Sequence, residues 1–346
     1  MAQINKPSDY FNTKLYTGTG STLANTGVGF QPDLTWIKGR SGATEHVLTD
    51  SVRGVTKELS SNDNGAEETV AQGLTAFGTD GFTVGTDGSY NTSSATYASW
   101  NWLANGAGSA NTDGTISSTV SANATSGFSI VKYTGTGASA TVGHGLGVTP
   151  AMMIIKNRDV SSAWNVYHQS LGLTGIYPKY LQLNLTAAVE AGGTGIYTAV
   201  PSSSLFSLGN YNVVNGSSNE MIAYCFAEKA GFSKFGSYVG NGNADGTFVY
   251  TGFKPAFIIW KNASTATQWI LLDDKRLGYN PNNNSLFPNN TDTDADGSAI
   301  SADLLSNGFK LRTTSEHDNE SGSTFIYMAF AQNPLVGTNG VPATAR

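Results

Sequence analysis

Asp292, Asp294, Asp296 and Gly297, with Asp303 at the twelfth position, follow the spacing of a calcium-binding loop. Carboxylates on alternate residues converge on a hard cation, and the glycine permits the sharp turn between them. The closing position holds Asp where a bidentate Glu is usual, and the pattern occurs once, so a solvated Asn- and Asp-rich turn accounts for the same residues. Calcium at Asp292, Asp294, Asp296 and Asp303 is the one cofactor the residues themselves raise.

Other reactive residue types are present without the company that catalysis needs. Asp50 and Arg53 share their spacing with Asp273 and Arg276, and the corresponding positions in between are His168 and Leu171. With no nucleophile or second carboxylate recurring beside them, these read as stabilising or interface ion pairs. The histidines, His46, His144, His168 and His317, show no metal-ligand spacing and no repeated Ser-His-Asp set. His144, between glycines, reads as a backbone-bonding turn residue. Glu67, Glu68 and Asp63 are the nearest approach to a paired-carboxylate site for glycoside cleavage, and a solvated loop explains them better. The tryptophans are expected mainly in cores, although aromatic rings beside Asn, Asp and Gly also suit sugars. Cys225 lies in the apolar run Ile222 to Phe226 and reads as a buried thiol. No catalytic residue emerges, and no enzyme activity is expected.

Composition narrows the partners. With 19 Lys and Arg against 25 Asp and Glu, the net charge is −6, and no basic cluster exists to hold nucleic acid. Charged residues make up 13% of the chain, against about 25% in a typical domain, and glycine alone contributes 41 residues. A polar, uncharged, turn-rich surface suits packing in an assembly or contact with sugars. No secretory signal or membrane-spanning run is apparent.

The elements that would position these residues come from a block that occurs three times. It opens at Tyr16-Thr-Gly-Thr-Gly20, Tyr133-Thr-Gly-Thr-Gly137 and Tyr238-Val-Gly-Asn-Gly242. It continues to Pro32, Pro150 or Pro255, and a mostly apolar segment then ends six residues later at Lys38, Lys156 or Lys261. Eight residues further on stands a ring: His46, Trp164 or Trp269. Each copy closes on an apolar run, at Tyr97 to Trp102, Ile222 to Phe226 and Phe325 to Phe330. A period of this length matches a small domain. The expected organisation is all-β, with three tandem β-sandwich repeats of jelly-roll or lectin-like type at 9–112, 113–229 and 230–335 and a C-terminal tail at 336–346. Each repeat is expected to bury a modest core of its own. The prolines should start strands, and Gly81–Val84, Leu205–Leu208 and Gly308–Leu311 form a second matched strand set. Asn105 to Ala124 reads as a linker or surface strand. Helical turns are expected at Ala66 to Leu74 and Ala187 to Glu190. Three like domains in one chain can also mimic a trimer.

The strings Tyr133-Thr-Gly-Thr-Gly137, His144-Gly-Leu-Gly-Val-Thr-Pro-Ala-Met-Met-Ile-Ile-Lys-Asn-Arg158, Lys234 to Gly242 and Leu305-Ser-Asn-Gly-Phe-Lys-Leu-Arg312 resemble a repeat family of tailed-phage virion proteins. The closing Gly340 to Arg346 is similar as well. The resemblance covers essentially the whole chain. It implies a bacteriophage virion structural protein, made in the host cytoplasm and exposed on the particle, either a tail-fibre-like, lectin-like adhesin for host attachment or a capsid decoration or head-fibre protein. Its implied partners are other virion proteins and host-surface glycan, with several copies per particle, no nucleic acid and no membrane insertion. The first copy departs, with Trp100-Asn101-Trp102 set against Cys225-Phe226-Ala227 and Ala329-Phe330-Ala331, which assigns it a distinct role such as attachment.

Overall fold

Short apolar runs between glycine and asparagine turns favour strands. The computed structural model is all-β, and its only α-helical segments among the described residues are the single turns Gly88–Asn91 and Asn212–Asn215. The structure describes residues 3–296, 299–337, 340 and 342–344. One pairing order occurs three times. In the first unit Phe11–Thr17, Thr96–Trp102, Leu34–Gly39 and His46–Asp50 lie side by side, all antiparallel. Phe128–Thr134, Glu220–Phe226, Met152–Asn157 and Asn165–His168 repeat that order in the second unit. Ser233–Val239, Thr324–Pro334, Phe253–Asn262 and Trp269–Asp273 repeat it in the third. Behind each lies a three-stranded sheet whose middle strand is Gly81–Val84, Leu205–Leu208 or Gly308–Leu311.

The central strands Leu34–Gly39, Met152–Asn157 and Phe253–Asn262 are buried on both faces, which is why they read as near-continuous apolar runs. One face packs on the unit's own three-stranded sheet: Ile37, Val47 and Tyr97 meet Leu74, Phe82 and Val84 in the first unit. Separate clusters of the same kind serve the second and third units. The other face belongs to all three units at once. Trp36, Leu48 and Trp100, Ile154, Ile222 and Tyr224, and Ile259, Leu271 and Met328 share one apolar cluster. At its centre the closing aromatics meet in a triangle: Trp102–Phe226 at 6.4 Å, Trp102–Phe330 at 5.7 Å and Phe226–Phe330 at 6.1 Å between ring centroids. Full burial of one such side chain contributes about 1.5–3 kcal/mol, and here that contribution depends on all three units. The expectation of one modest core per repeat therefore captures only the outer half of the packing.

Strand register corrects several details. Trp102 pairs with Leu34, Phe226 with Met152 and Phe330 with Phe257, so Trp100-Asn101-Trp102 corresponds to Tyr224-Cys225-Phe226 and Met328-Ala329-Phe330. The sequence alignment above was one residue out, and the first unit is not an outlier at that site. Pro255 lies inside its strand at a register shift, where a bulge absorbs the missing N–H. Ala66 to Leu74 is not helical: it holds Glu68–Thr69 and the start of Leu74–Gly78. Nor is Ala187 to Glu190, where Glu190 exchanges backbone hydrogen bonds with Tyr180 and the Val189 N–H donates to the Ala263 carbonyl of the third unit. Tertiary pairing outweighs local helix propensity there. The polar stretch after Asn105 supplies the strands Ser109–Asn111 and Ser118–Asn123, which extend the second unit's inner sheet.

Candidate functional site

The glycine-rich openings resolve into a structural lock around a buried asparagine. Asn91, Asn215 and Asn319 are each fully buried. Their side-chain oxygens accept from the backbone N–H of Thr19, Thr136 and Asn241, and their amides donate to backbone carbonyls on both sides of the loop, including Gly85, Gly209 and Thr313. Gly20, Gly137 and Gly242 donate to the carbonyls of the same three asparagines from a left-handed backbone with φ of 70°, 69° and 64°. At Gly18, Gly135 and Gly240 a Cβ would collide with a backbone carbonyl oxygen. The tyrosine that opens each block donates its hydroxyl to the carbonyl preceding the asparagine, from Tyr16, Tyr133 and Tyr238 to Tyr90, Val214 and Asp318. These asparagines escaped the sequence reading, although each stands eleven residues before its closing aromatic, Trp102, Phe226 or Phe330.

The Asp–Arg pairs lie where units meet, and they are buried, not surface bridges. Arg53 Nε donates to Asp50 Oδ2 at 2.5 Å with both side chains fully buried, and the Tyr224 hydroxyl of the second unit donates to the same oxygen at 2.8 Å. Arg53 also reaches Glu67, which is held in turn by Arg158 of the second unit at 2.8 Å. Burial opposes ionisation of Glu67, but Arg158 and Arg53 hold its carboxyl below the usual range. The seam between third and first units repeats the design. Arg276 pairs with Asp273 and Asp294, the Trp100 indole N–H of the first unit donates to Asp273, and Arg40 of the first unit reaches Asp294. Burial disfavours the Asp273 carboxylate, yet Arg276 prevails and keeps its pKa low.

The second and third units meet differently. His168 occupies the place of Asp50 and Asp273, and its Nε2 lies 3.1 Å from the Tyr327 carbonyl of the third unit. Gln169 donates to the Phe235 carbonyl, and the Trp269 indole donates to the Gln182 carbonyl. That last bond has a counterpart in Trp164 donating to the Ser60 carbonyl of the first unit. At the third such place His46 faces the Phe287 carbonyl without the alignment of a hydrogen bond. Contacts thus run from first unit to second, second to third and third to first, closing a ring.

Lys38, Lys156 and Lys261 are also fully buried at equivalent points. Each Nζ donates to the next residue's carbonyl and to a hydroxyl six residues on, Thr44, Ser162 or Thr267. The third donor of Lys38 crosses to the Thr291 carbonyl and that of Lys156 to the Asn64 carbonyl, whereas Lys261 closes on its own Thr265. Burial pushes all three down to about 8.

Three of the calcium-loop carboxylates have described side chains, and each has a partner of its own. Asp294 is engaged by Arg40 and Arg276, Asp303 by Arg312, and Asp292 accepts from Asn290. Asp296 lies in the two-residue strand Ala295–Asp296, its side chain and Gly297 outside the described residues. Among the described residues no group of three or more His, Cys, Asp or Glu side chains is placed to hold a metal ion. Glu67 turns into the seam, away from Asp63 and Glu68. Those two line a shallow cavity of about 250 Å³ with Glu45 and Glu58, the last pushed up to about 7 by burial and by neighbouring carboxylates. His144 bonds only backbone, accepting from Leu146 N–H and facing the Ser202 carbonyl. Burial drives the Cys225 thiol up to about 12. All six tryptophans are at most 2% exposed.

What this arrangement does chemically is hold: at the seams, buried Asp50, Asp273 and His168 each meet a partner from the neighbouring unit. No curated protein and no solved structure matches the chain. One family model spans all three units as a single match, over residues 6–334, and by it the chain belongs to the family described as Domain of unknown function (DUF7483).

Proposed function

We propose that this protein is a structural component of a bacteriophage virion, a single-chain three-sided block that fills one place in the particle. The observation that carries the reading is the closed ring, with three sheets turned onto one core and equivalent aromatics meeting at its centre. One chain then has the rigidity of a trimer without depending on subunit concentration. The resemblance of the repeated strings to tailed-phage virion proteins supplies the setting. Burial of every tryptophan supports a packing role over sugar binding, since none is presented as a stacking platform.

A tail-fibre-like adhesin is the second reading. It is favoured by the exposed rings of Phe248 and Tyr250 on the third unit's outer sheet, close to Asp245 and Arg312. Cryo-EM of the assembled particle at side-chain resolution tests both. Many copies over the head or along the tail, with loops packed on neighbours, are expected. A few copies at the tail tip with Phe248 and Tyr250 facing outward would overturn the packing role in favour of the adhesin, and absence from the particle would overturn both.

A further inference from the structure

We propose that the seam between the second and third units is an acid-operated latch, released by protonation of His168. The inference is independent of where the protein acts. His168 is 1% exposed, and each ring nitrogen has an assigned task. Nδ1 accepts the Ser170 backbone N–H at 3.1 Å, so the proton of the neutral ring is on Nε2, which donates to the Tyr327 carbonyl. A second proton has one place to go, Nδ1. There it sets N–H against N–H, removes the acceptor that caps the turn after the strand, and leaves a cation in an apolar seam. Burial, partly offset by the Tyr327 carbonyl, holds His168 down to about 4.

The other seams lack this weakness. At the equivalent position Asp50 and Asp273 cap the same turn with a carboxylate oxygen, which accepts from Val52 and Lys275; each also pairs with the arginine three residues on in its own unit and accepts a donor from the neighbouring unit, Tyr224 or Trp100. His46, at the seam of the third and first units, uses Nδ1 to accept from Trp36, but Lys38 on its own sheet and Arg276 of the third unit also face it. Those cations oppose its protonation, so His168 titrates first. The Lys234–Glu228 ion pair near the second–third seam is solvent-facing, with both side chains 37% exposed. No counterpart of the Asp50–Arg53 or Asp273–Arg276 pair stands at His168, where Leu171 takes the arginine's place.

The sign follows from linkage. The closed seam holds His168 neutral, while in the open state the ring takes up a proton near its ordinary value of about 6.5. The open population therefore grows as pH falls below about 6.5, by up to about tenfold per pH unit for one histidine. Glu58 at about 7 and Asp318 at about 6, both raised chiefly by burial, act in the opposite sense on global stability. Seam-resolved measurement is therefore required.

Hydrogen–deuterium exchange of the full chain between pH 7.5 and 4.5, corrected for intrinsic rates, provides it. Loss of protection is expected first in Asn165–His168 and in the facing Phe235 and Tyr327 segments, with rising binding of a hydrophobic dye as the shared core is uncovered. Protection around Asp50, Arg53 and Tyr224 should persist. Simultaneous loss at all three seams, or no loss above pH 4.5, overturns the proposal. H168N keeps an acceptor for Ser170 and cannot titrate, so its transition should shift by at least one pH unit to the acid side. If H168N folds and opens at the wild-type pH, the latch is not His168.

Discussion

The turn after the fourth inner strand occurs three times, and it is built with Asp and Arg in the first and third units but with His168 and Leu171 in the second. In all three the first residue's side chain accepts a backbone N–H two residues on: Asp50 from Val52, His168 from Ser170 and Asp273 from Lys275. That local cap is the shared requirement. What differs is the chemistry presented to the neighbouring unit, a carboxylate already paired with its own arginine in two cases and a single neutral imidazole in the third. The pairs are specific and unforgiving, because a buried ion is tolerated only with its partner. The imidazole demands less and responds to pH.

The contrast can be broken most forcefully at Asp50. D50A leaves Arg53 buried with Glu67 as its remaining carboxylate, and unfolding by denaturant should show a loss of about 3–5 kcal/mol. Replacing both residues by the second unit's pair, D50H/R53L, should cost less than D50A alone. A larger loss in the double variant would show that the cap is not what the three turns share. Asn91, Asn215 and Asn319 offer the next effect. Each alanine variant strands several buried donors and acceptors, costing about 2–4 kcal/mol, and the three losses should agree within about 1 kcal/mol if the lock serves every unit alike. G135A follows, with about 1–3 kcal/mol from overpacking against the Gly216 carbonyl; an unchanged denaturation midpoint would show that the loop yields.

The most diagnostic effect is alkaline. Lys38, Lys156 and Lys261 lose protons near 8 in the folded protein but near 10.5 when unfolded. Between those values the unfolded state binds more protons, so stability rises with pH, by up to about 1.4 kcal/mol per pH unit for each lysine. Denaturation midpoints from pH 7.5 to 9.5 should climb, and K261M should lower the slope by about a third while leaving the fold intact. A flat profile would mean that these ammoniums are better solvated than their burial implies.

The strand content, the three blocks and the burial of Cys225 and most tryptophans were readable from residue type and spacing. So was the equivalence of His46, Trp164 and Trp269, whose backbone N–H groups all take a side-chain oxygen, from Asn62, Asn184 and Asn289. The ring was not readable, because period two tells which residues share a face but not what that face meets. Trp36 and Trp260 stand four and five residues after their prolines, and so lie on opposite faces of equivalent strands, one in the shared core and one in the third unit's own. The Asp–Arg spacing announced an ion pair without announcing Tyr224 or Trp100, which arrive from other units. The calcium pattern did not announce that Asp294 serves arginines that sequence places far away, Arg40 among them.

The shared core also sets a timetable. Trp36, Trp100 and Trp102 leave the ribosome first, yet Phe257 follows Trp102 by 155 residues and Phe330 follows it by 228. At roughly 5–20 residues per second, the nascent chain carries an uncovered aromatic face for tens of seconds. Its birth is the dangerous part of its life, and a fragment ending near residue 229 should bind chaperones and hydrophobic dye that the finished chain ignores.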